Sequence, residues 1–516
     1  MPAYRTPAVG LLAAGLLALA VACAPRAQTR VDADAAADAG RPADPLARVE
    51  DDVRFLAADE LLGRDTPSPG LEAAADYIAA RFRALGLRPV GGLSDFRQPV
   101  RLATVAPPAG GKLELAGFER SLGAADDDNG APGMIALRGG DVAHDGEYAY
   151  APHGTAAEVD ALDLAGKVLV TNAGYDDSAN PFAMYQAVRE KAARAWAAGA
   201  VALVELYRNP RGPWRMIAAN LGGARMTLAP DPEQPDLPVL WLDDASSELA
   251  KRVQRDEGTR LRLRLAPTRV TPVPTSNVVA VVPGTDERLR DQAILLTAHY
   301  DHVGTGARPG SADTIFNGAR DNALGVAALL AAAARVARAP GKRPVVFAAV
   351  TAEEKGLLGS AYFVANPPLP LREIGFNLNL DGAGYDDTTA VTLNGLTRTS
   401  AQSLIEASVK TAGLTAADDP VPEQNLYDRS DNVNFARAGI PAVTLAPGFT
   451  GFTPELMRYY HQPGDNPESL DYAYVRKYAA AVAELIAALA DYPERITWTP
   501  GDKYAAAGAE LYGADD

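Results

Sequence analysis

The chain has 516 residues, 47 % of them hydrophobic, and a formal net charge of -16 that results from 65 acidic and 49 basic residues. This length predicts about three domains, or fewer if the chain forms a large α/β unit, and the hydrophobic content suffices for a core. A strongly acidic chain is poorly suited to binding nucleic acids, because displacing the counterions of phosphates requires clustered Lys and Arg.

The N-terminal segment has the pattern of an export signal. An apolar stretch at residues 9–21 follows Arg5, is too short to span a bilayer well and ends just before Cys23, the only cysteine of the chain. The sequence Ala20-Val21-Ala22-Cys23 resembles a bacterial lipobox, with Ala20 where Leu is more usual. We therefore predict a lipoprotein signal peptide at residues 1–23, a lipid anchor on Cys23 and a location in the cell envelope (outer membrane or periplasm). A plain secreted protein and an uncleaved anchor are the alternatives.

The next three segments differ in composition. Residues 24–45 are rich in Ala, Asp and Pro, which predicts a disordered tether. Residues 46–114 contain two helical patterns separated by a Pro- and Ser-rich break, and we assign them to the first part of a divided domain. Residues 115–270 alternate short strand-like runs with turns and are predicted to be an insert. Its run Asp163-Leu164-Ala165-Gly166-Lys167-Val168 and a later helix–Gly–Ala–strand pattern resemble a protease-associated domain, and an unrelated α/β insert is the alternative.

Residues 271–495 are predicted to complete the divided domain. Apolar runs predict strands at 277–282, 293–298, 344–350, 376–380 and 442–445. Helical patterns lie at 322–339, 400–412 and 472–490. Apolar strands that alternate with helices predict an α/β fold with a mostly parallel sheet between two layers of helices, and functional residues are then expected at the carboxyl ends of the strands. Residues 496–516 are predicted to be a C-terminal tail.

Five residues at or near the ends of these apolar runs are of types that bind metals: His299, Asp321, Glu354, Asp381 and His461. Two imidazoles and three carboxylates suit two zinc ions that share one carboxylate. Each residue also has a simpler explanation, such as a His in a polar loop, an Asp that caps the following helix or an Asp-Gly turn. One parallel sheet would bring all five to the same edge, which favours the metal site.

Three further residues are candidates for roles beside the metals. Glu353 adjoins one of the carboxylates at the end of a buried run, where like charges are costly unless a cation neutralises them, so one of the pair can bind metal while the other acts as a general base. Asp301 lies two residues after the first His and is placed to accept its second ring N–H. Tyr460 could donate its hydroxyl to an oxyanion. The remaining histidines are interpreted as ordinary polar residues; they are His144, His153 and His302, of which only His302 could line the pocket.

The order of these residues resembles that of the co-catalytic di-zinc exopeptidases. The chain contains H-x-D at 299–301, G-A-x-D-N at 318–322, E-E-x-G-L-L-G-S at 353–360, a strand that ends in Asp381, and Y-H at 460–461. Members of that family include bacterial secreted aminopeptidases, aminopeptidase Y of the vacuole, plasma glutamate carboxypeptidase and, as non-enzymes, transferrin receptors. The resemblance covers residues 46–110 and 272–492, with the insert between them, and implies the phosphorylase/hydrolase-like fold of zinc exopeptidases.

The resemblance also implies roles and an activity. The ligands of one zinc ion would be His299, Asp321 and Asp381, and those of the other would be Asp321, Glu354 and His461, with Asp321 bridging. The remaining roles would be general base for Glu353, oxyanion stabilisation for Tyr460 and orientation of the first His for Asp301. The implied activity is that of a zinc-dependent aminopeptidase, which hydrolyses N-terminal residues from peptides by a metal-bridged hydroxide. Carboxylates near the metals favour this choice, because they suit a free α-amine.

Other activities of the same fold are left open by the sequence. Carboxypeptidases and glutaminyl cyclases resemble this family as well. A carboxypeptidase needs basic residues for the substrate carboxylate, and the candidates are Arg320, Arg429 and Arg458. A non-catalytic surface receptor is disfavoured, because every metal ligand, the base and the tyrosine are present in this chain.

Overall fold

The structure is a computed structural model that describes residues 44–123, 131–175, 181–209, 212–230, 237–255, 260–308 and 310–513. The predicted signal peptide, Cys23 and most of the predicted tether lie outside these residues. Within the described ranges, no helix is both long enough and apolar enough to cross a membrane.

The elements alternate along the chain much as the apolar runs predict. The α-helices of the described residues are α1 (Val49–Leu56), α2 (Pro69–Ala84), α3 (Ala156–Asp160), α4 (Pro181–Ala197), α5 (Trp214–Leu221), α6 (Glu248–Arg255), α7 (Leu324–Arg338), α8 (Leu358–Ala365), α9 (Gln402–Thr411), α10 (Asn432–Arg437), α11 (Tyr472–Asp491) and α12 (Ala505–Tyr512). The strands are β1 (Arg88–Pro89), β2 (Arg97–Ala106), β3 (Gly111–Leu115), β4 (Phe118–Ser121), β5 (Met134–Arg138), β6 (Val142–Tyr150), β7 (Val168–Asn172), β8 (Ala202–Tyr207), β9 (Arg225–Leu228), β10 (Val239–Asp243), β11 (Arg260–Leu265), β12 (Arg269–Val282), β13 (Ala293–His299), β14 (Val345–Val350), β15 (Ile374–Leu380), β16 (Ala390–Asn394), β17 (Thr415–Asp418) and β18 (Ala442–Pro447).

The larger of two sheets has ten strands in the order β17-β16-β18-β15-β13-β14-β12-β2-β9, and β1 pairs with β12 beside this path. Its centre, β18-β15-β13-β14, is parallel. Both flanks are joined to this centre by antiparallel pairing, of β12 with β14 and of β16 with β18. The predicted parallel arrangement therefore holds for the central strands, where helices provide the crossovers that parallel pairing needs, and β12 is the one predicted strand that runs the other way.

Helices cover both faces of this sheet, as predicted. The alternating side chains of β13 explain why both faces are apolar: Ile294, Leu296 and Ala298 enter the core beneath α1, α2, α7, α9 and α11. Ala293 and Leu295 point the other way, into the core shared with α8, α10 and α12. Because successive side chains of a strand face opposite sides, a continuous apolar run is what a sheet between two helical layers requires.

The second sheet is formed by the insert. It has eight strands in the order β4-β3-β11-β6-β7-β8-β10-β5, with α4 and α5 against one face and α6 against the other. Its strands begin at Gly111 and end at Leu265. One strand of the same segment, β9, leaves this sheet and pairs with β2 at the edge of the larger sheet, so backbone hydrogen bonds join the insert to the rest of the molecule. The assignment of this unit to the protease-associated class stays a prediction.

The last described residues pack against the larger sheet. The indole N–H of Trp498 donates a hydrogen bond of 3.0 Å to the carbonyl of Gly439, and Tyr504, Ala505 and Leu511 contact the core beside α10. The segment from residue 496 onward was expected to be a tail, and up to residue 513 it forms part of the folded domain.

Candidate metal centre

The five predicted metal ligands come together at the carboxyl ends of the central parallel strands. His299 is the last residue of β13 and Asp381 directly follows β15. Glu354 lies four residues beyond the end of β14, and His461 lies in the loop between β18 and α11. Asp321 stands just before α7. Because parallel strands end at one edge of a sheet, residues far apart in sequence converge there.

These residues form two clusters that share Asp321. Its Oδ1 lies 3.2 Å from Nε2 of His299, while its Oδ2 lies 3.2 Å from Nε2 of His461. The first cluster is completed by Asp381, whose Oδ1 lies 3.3 Å from His299 Nε2. The second is completed by Glu354, whose Oε1 lies 3.2 Å from His461 Nε2. Each cluster has ligand atoms within 4.8 Å of one another, which is close enough for a single ion to contact them all.

The side-chain amide of Asn322 explains why the Asp321 carboxylate is available to the metal site. The side chain of Asn322 accepts a hydrogen bond of 3.2 Å from the N–H of Gly325 at the start of α7 and donates one of 2.8 Å to the carbonyl of Leu380. Asn322 thus takes the capping position that the sequence also offered to Asp321. The Asp321 side chain is left to face the histidines.

Asp301 contacts the centre through different atoms from those predicted. The second ring nitrogen of His299, Nδ1, lies 3.1 Å from the backbone carbonyl of Asp301 and 3.8 Å from its carboxylate. The carboxylate instead accepts hydrogen bonds from the N–H groups of Glu353 and Glu354, at 3.0 and 3.2 Å. The prediction that the Asp301 carboxylate takes the ring N–H is therefore corrected, because the backbone carbonyl of the same residue lies closer to Nδ1 and the carboxylate is beyond hydrogen-bond distance.

The same contact orients His299 for metal binding. A carbonyl oxygen can only accept, so Nδ1 of His299 carries a hydrogen, and in the neutral ring that binds a metal the lone pair of Nε2 faces Asp321 and Asp381. Metal-binding histidines typically donate their other N–H in this way, which fixes the ring and its tautomer.

The position of His302 differs from the prediction that it is an ordinary polar residue. Its side chain is fully buried, and its Nδ1 lies 2.9 Å from Oε1 of Glu354. The same nitrogen lies 3.9 Å from Oδ2 of Asp321. His302 belongs to the second cluster by distance, although the spacing of H-x-D-H in the sequence gives no sign of which histidine faces the site.

The loop that carries Asp321 is held by hydrogen bonds to the side chain of Asp465. This buried carboxylate accepts hydrogen bonds from the N–H of Arg320 and, at 3.3 Å, from the N–H of Asp321 itself. It also accepts from the Arg320 guanidinium at 3.2 Å. Arg320 donates further to the carbonyl of Ser469 at 2.8 Å and lies 3.7 Å from the centroid of the Tyr459 ring. Arg320 is therefore a structural cation of the loop.

Arg64 supports two other loops of the centre. Its buried guanidinium donates to the carbonyl of Tyr300 at 2.9 Å, to that of Asn317 at 2.7 Å, to that of Gly318 at 3.0 Å and to that of Leu56. Burial lowers its pKa to about 10, although the carboxylates of Asp301 and Asp321 oppose the shift. The loops after β13 and before α7 are thus tied to one cation from the N-terminal segment.

We expect the substitution Arg64→Met to lower the free energy of unfolding by about 3 kcal/mol or more, because it leaves several buried carbonyls without donors. Urea denaturation measures the change. Arg54→Met is the matched control, since its side chain is 44 % exposed and forms ion pairs at the surface, where each pair contributes about 1 kcal/mol or less. Equal losses in the two variants would contradict the supporting role of Arg64.

The carboxylates of the centre create an environment that favours bound cations. Burial opposes charge on the His299 ring, but the neighbouring Glu353 and Asp381 raise its pKa well above the ordinary value. In His461, hydrogen bonds to Asp321 and Glu354 overcome burial and raise the pKa to about 10. Burial likewise opposes ionisation of Asp321, yet hydrogen bonds with His299 and His461 hold its pKa well below the ordinary value. The carboxylates thus attract positive charge to the positions between them.

Glu353 stands apart from this pattern. Burial, together with the charges of Asp381, Glu354 and Asp431, raises the pKa of Glu353 well above its ordinary value, although His299 opposes the shift. Burial also raises the pKa of Asp431 to about 7. A carboxyl group with a raised pKa beside carboxylates that stay ionised is the pattern of an acid–base residue.

The donor set suits zinc. The two clusters offer imidazole nitrogens and carboxylate oxygens, which are common zinc ligands, and one carboxylate contributes an oxygen to each. His299 has its second N–H satisfied by a carbonyl, and Asp381 accepts a hydrogen bond from Ser430, which in turn accepts one of 2.7 Å from Asn379. Such outer contacts are typical of metal sites.

The aromatic residue next to His461 flanks the second cluster. The rings of Tyr460 and His461 have centroids 4.2 Å apart, and Phe452 lies beyond, 6.3 Å from Tyr460. Burial raises the pKa of the Tyr460 hydroxyl, so this group keeps its hydrogen at neutral pH. The ring therefore lies beside a member of the second cluster, and the predicted oxyanion contact of the hydroxyl stays a prediction.

Comparison with known proteins points to one family. Residues 277–486 match peptidase family M28. The chain is 28 % identical over 284 residues to aminopeptidase YwaD of Bacillus subtilis, a match that covers 54 % of this chain and 55 % of that protein. It is 30 % identical over 162 residues to a vacuolar membrane protease of Lachancea thermotolerans, covering 31 % of this chain and 15 % of that protein. The chain thus spans about half the length, or less, of these curated relatives.

Among solved structures, an aminopeptidase from Aneurinibacillus sp. strain AM-1 has a similar fold. The match has a TM-score of 0.51 at 20 % identity and covers 89 % of this chain and 96 % of that one. Because the larger part of both chains is matched, the similarity includes the region of the insert as well as the sheet that carries the clusters. It supports the predicted α/β fold.

Proposed function

We propose that this protein is a zinc-dependent aminopeptidase that removes N-terminal residues from peptides, since residues 277–486 match peptidase family M28. The observation that carries the proposal is the division of the Asp321 carboxylate, with one oxygen 3.2 Å from His299 and the other 3.2 Å from His461. A carboxylate shared in this way suits a pair of ions better than a single ion.

The ligands of the first zinc ion in this proposal are His299, Asp321 and Asp381, and those of the second are Asp321, Glu354 and His461. The ions supply Lewis acidity toward the peptide carbonyl and lower the pKa of water. The same carboxylates that raise the pKa of His461 to about 10 are then neutralised by metal instead of by protons, so ions and protons compete for this site.

Glu353 is the proposed general base. It would accept a proton from the attacking water as the new C–O bond forms, and it would return that proton to the leaving nitrogen as the C–N bond breaks. Its raised pKa, caused by burial and by the neighbouring carboxylates, suits both transfers. Tyr460 would donate a hydrogen bond to the oxyanion. Asp301 would hold the backbone of Glu353 and Glu354 through its two hydrogen bonds.

The charges near the clusters favour an aminopeptidase over a carboxypeptidase. Two of the three candidate partners for a substrate carboxylate are engaged elsewhere: Arg320 is buried against Asp465, and Arg458 pairs with Glu455 at the surface. Arg429 is exposed. A site with this excess of carboxylates suits a free α-amine better than a second carboxylate.

A panel of substrates on the purified protein tests the proposal. We expect about two zinc ions per chain, release of amine from aminoacyl-p-nitroanilides, no release from N-acetylated peptides, and loss of activity with a chelator. Release of the C-terminal residue from N-blocked peptides would identify a carboxypeptidase instead, and conversion of N-terminal Gln to pyroglutamate with loss of ammonia would identify a glutaminyl cyclase. Absence of bound zinc together with absence of amine release would refute a zinc enzyme.

The location of the protein is a separate proposal. The apolar stretch before Cys23 supports export and a lipid anchor on that residue. Metabolic labelling with a fatty acid should mark the wild-type chain and leave Cys23→Ser unlabelled, whereas equal labelling would contradict the anchor.

A further inference from the structure

His302 is a buried residue of the centre to which the proposed reaction gives no role. It lies on the loop after β13, and its ring contacts Glu354 with Nδ1 at 2.9 Å from Oε1. The same Glu354 oxygen lies 3.2 Å from Nε2 of His461. His302 and His461 therefore converge on one carboxylate oxygen, with their ring centroids 5.5 Å apart.

The environment of the second ring nitrogen, Nε2, indicates whether Nδ1 of His302 presents a hydrogen or a lone pair to Glu354. Nε2 is buried and has no hydrogen-bond partner within the part of the chain that the structure describes. A buried N–H without an acceptor is rarer than an acceptor without a donor, so the hydrogen of the neutral ring belongs on Nδ1. His302 then donates to Glu354 and has no lone pair directed at the second cluster.

The surroundings hold the ring in this orientation. The backbone N–H of His302 donates to the carbonyl of Arg64 at 3.2 Å. On one side of the ring lies Gly318, in the left-handed region with φ of 62°, where an added Cβ would approach the ring Cγ to 2.6 Å. The backbone of Gly318 therefore packs closely against one side of the ring and limits its movement in that direction.

We propose that His302 is a positioning residue for Glu354, which sets the ligand oxygen of the second zinc site by donating a hydrogen bond and does not bind the metal itself. The inference rests on the proposed function, because it assumes that Glu354 and His461 hold a zinc ion. It makes the two sites unequal. His302 contacts Glu354 of the second site at 2.9 Å, whereas its approach to the first site is limited to the shared Asp321, whose Oδ2 lies 3.9 Å from Nδ1.

Zinc titration of the apoprotein tests this inference through binding as well as activity. In His302→Leu the donor is lost, and we expect the affinity of one of the two sites to fall on the order of 10- to 100-fold, as for other outer-shell partners of metal ligands, with the other site unchanged. In His302→Asn the amide nitrogen takes a position close to that of Nδ1, and we expect most of the affinity to return.

The controls separate this effect from a loss of folding. His144→Leu removes a histidine of the insert whose Nε2 lies 3.2 Å from the carbonyl of Glu147, and both zinc affinities should stay as in the wild type. The unfolding midpoint of each variant in chelator reports the stability of the metal-free fold. If His302→Leu does not fold, His302→Asn and His302→Gln provide the comparison, since the longer Gln cannot place its amide where Nδ1 lies and should bind the second ion more weakly than Asn.

Several outcomes would overturn the inference. Wild-type zinc affinities in His302→Leu would show that His302 does not position Glu354. Equal weakening of zinc binding in His302→Asn and His302→Leu would show the same. X-ray absorption of the zinc-loaded wild type should count two imidazoles over two ions, and a third imidazole that disappears in His302→Asn would make His302 a ligand instead. If the wild-type protein binds no zinc, the proposed function itself is refuted. If the wild type binds two ions and the His302 variants bind them equally well, only the role of His302 is refuted.

Discussion

Replacement of Glu353 with Gln is expected to lower kcat about 1000-fold or more, which corresponds to about 4 kcal/mol, while both zinc ions stay bound. Glutamine has nearly the same shape but cannot accept the proton of the attacking water. Glu353 lies outside both groups of ligand atoms, so its loss should spare the metals. Steady-state kinetics and metal analysis of the same preparation measure the two quantities together.

Glu423→Gln is the matched control for this variant. Glu423 is exposed on the loop that follows β17, and its replacement changes the net charge by the same amount. We expect wild-type kcat and zinc content in this control. Peptidase activity within tenfold of the wild type in Glu353→Gln would exclude Glu353 as the general base, whereas loss of zinc would move it among the ligands.

Replacement of Asp321 with Asn is expected to have the widest effect on the metals, since this carboxylate lies 3.2 Å from both His299 and His461, the two proposed histidine ligands. An amide offers one oxygen and one N–H₂ group, so it cannot bind two ions. We expect the loss of at least one zinc ion per chain, weaker binding of the other, and a loss of activity that equals or exceeds that of Glu353→Gln. Elemental analysis after dialysis against dilute chelator measures the metal content.

Two further variants calibrate this result. Asp381→Asn removes a carboxylate that contacts only His299 among the two metal histidines, and it should weaken one site while the other keeps its ion. Asp291→Asn changes a carboxylate that is 65 % exposed and far from the site in the fold, and it should leave both ions bound. An Asp321→Asn protein that retains two ions as firmly as the Asp291→Asn control would disprove the bridging role.

The sequence predicts much of the fold because its signals are local. The apolar run before His299 is long enough to define a strand, and the structure ends β13 at that histidine. Likewise Asp381 follows the predicted strand at 376–380, and β15 ends at Leu380. A parallel sheet then brings such ends to one edge by geometry alone. For this reason the five ligand candidates could be named before any distance was known.

Other features depend on pairing across the chain, which no local pattern encodes. The strand at 277–282 has the apolar character of its parallel neighbours, yet β12 pairs antiparallel with β14. In the insert, β9 is not set apart by its composition from the strands around it, although it joins the larger sheet. A pattern of alternating side chains defines a strand but not the direction of its partner.

The residue types and their order therefore determine which side chains reach the edge of the sheet, because strand ends follow from local hydrophobicity. Only the tertiary structure decides which atoms meet there. It turns the carboxylate of Asp301 toward the amides of Glu353 and Glu354, gives the capping role to Asn322 and buries His302 against Glu354. It also brings Arg64 to a carbonyl 236 residues away. Such contacts depend on packing between distant segments. Buried donors and acceptors must pair with each other, and the packing decides which of them lie within reach.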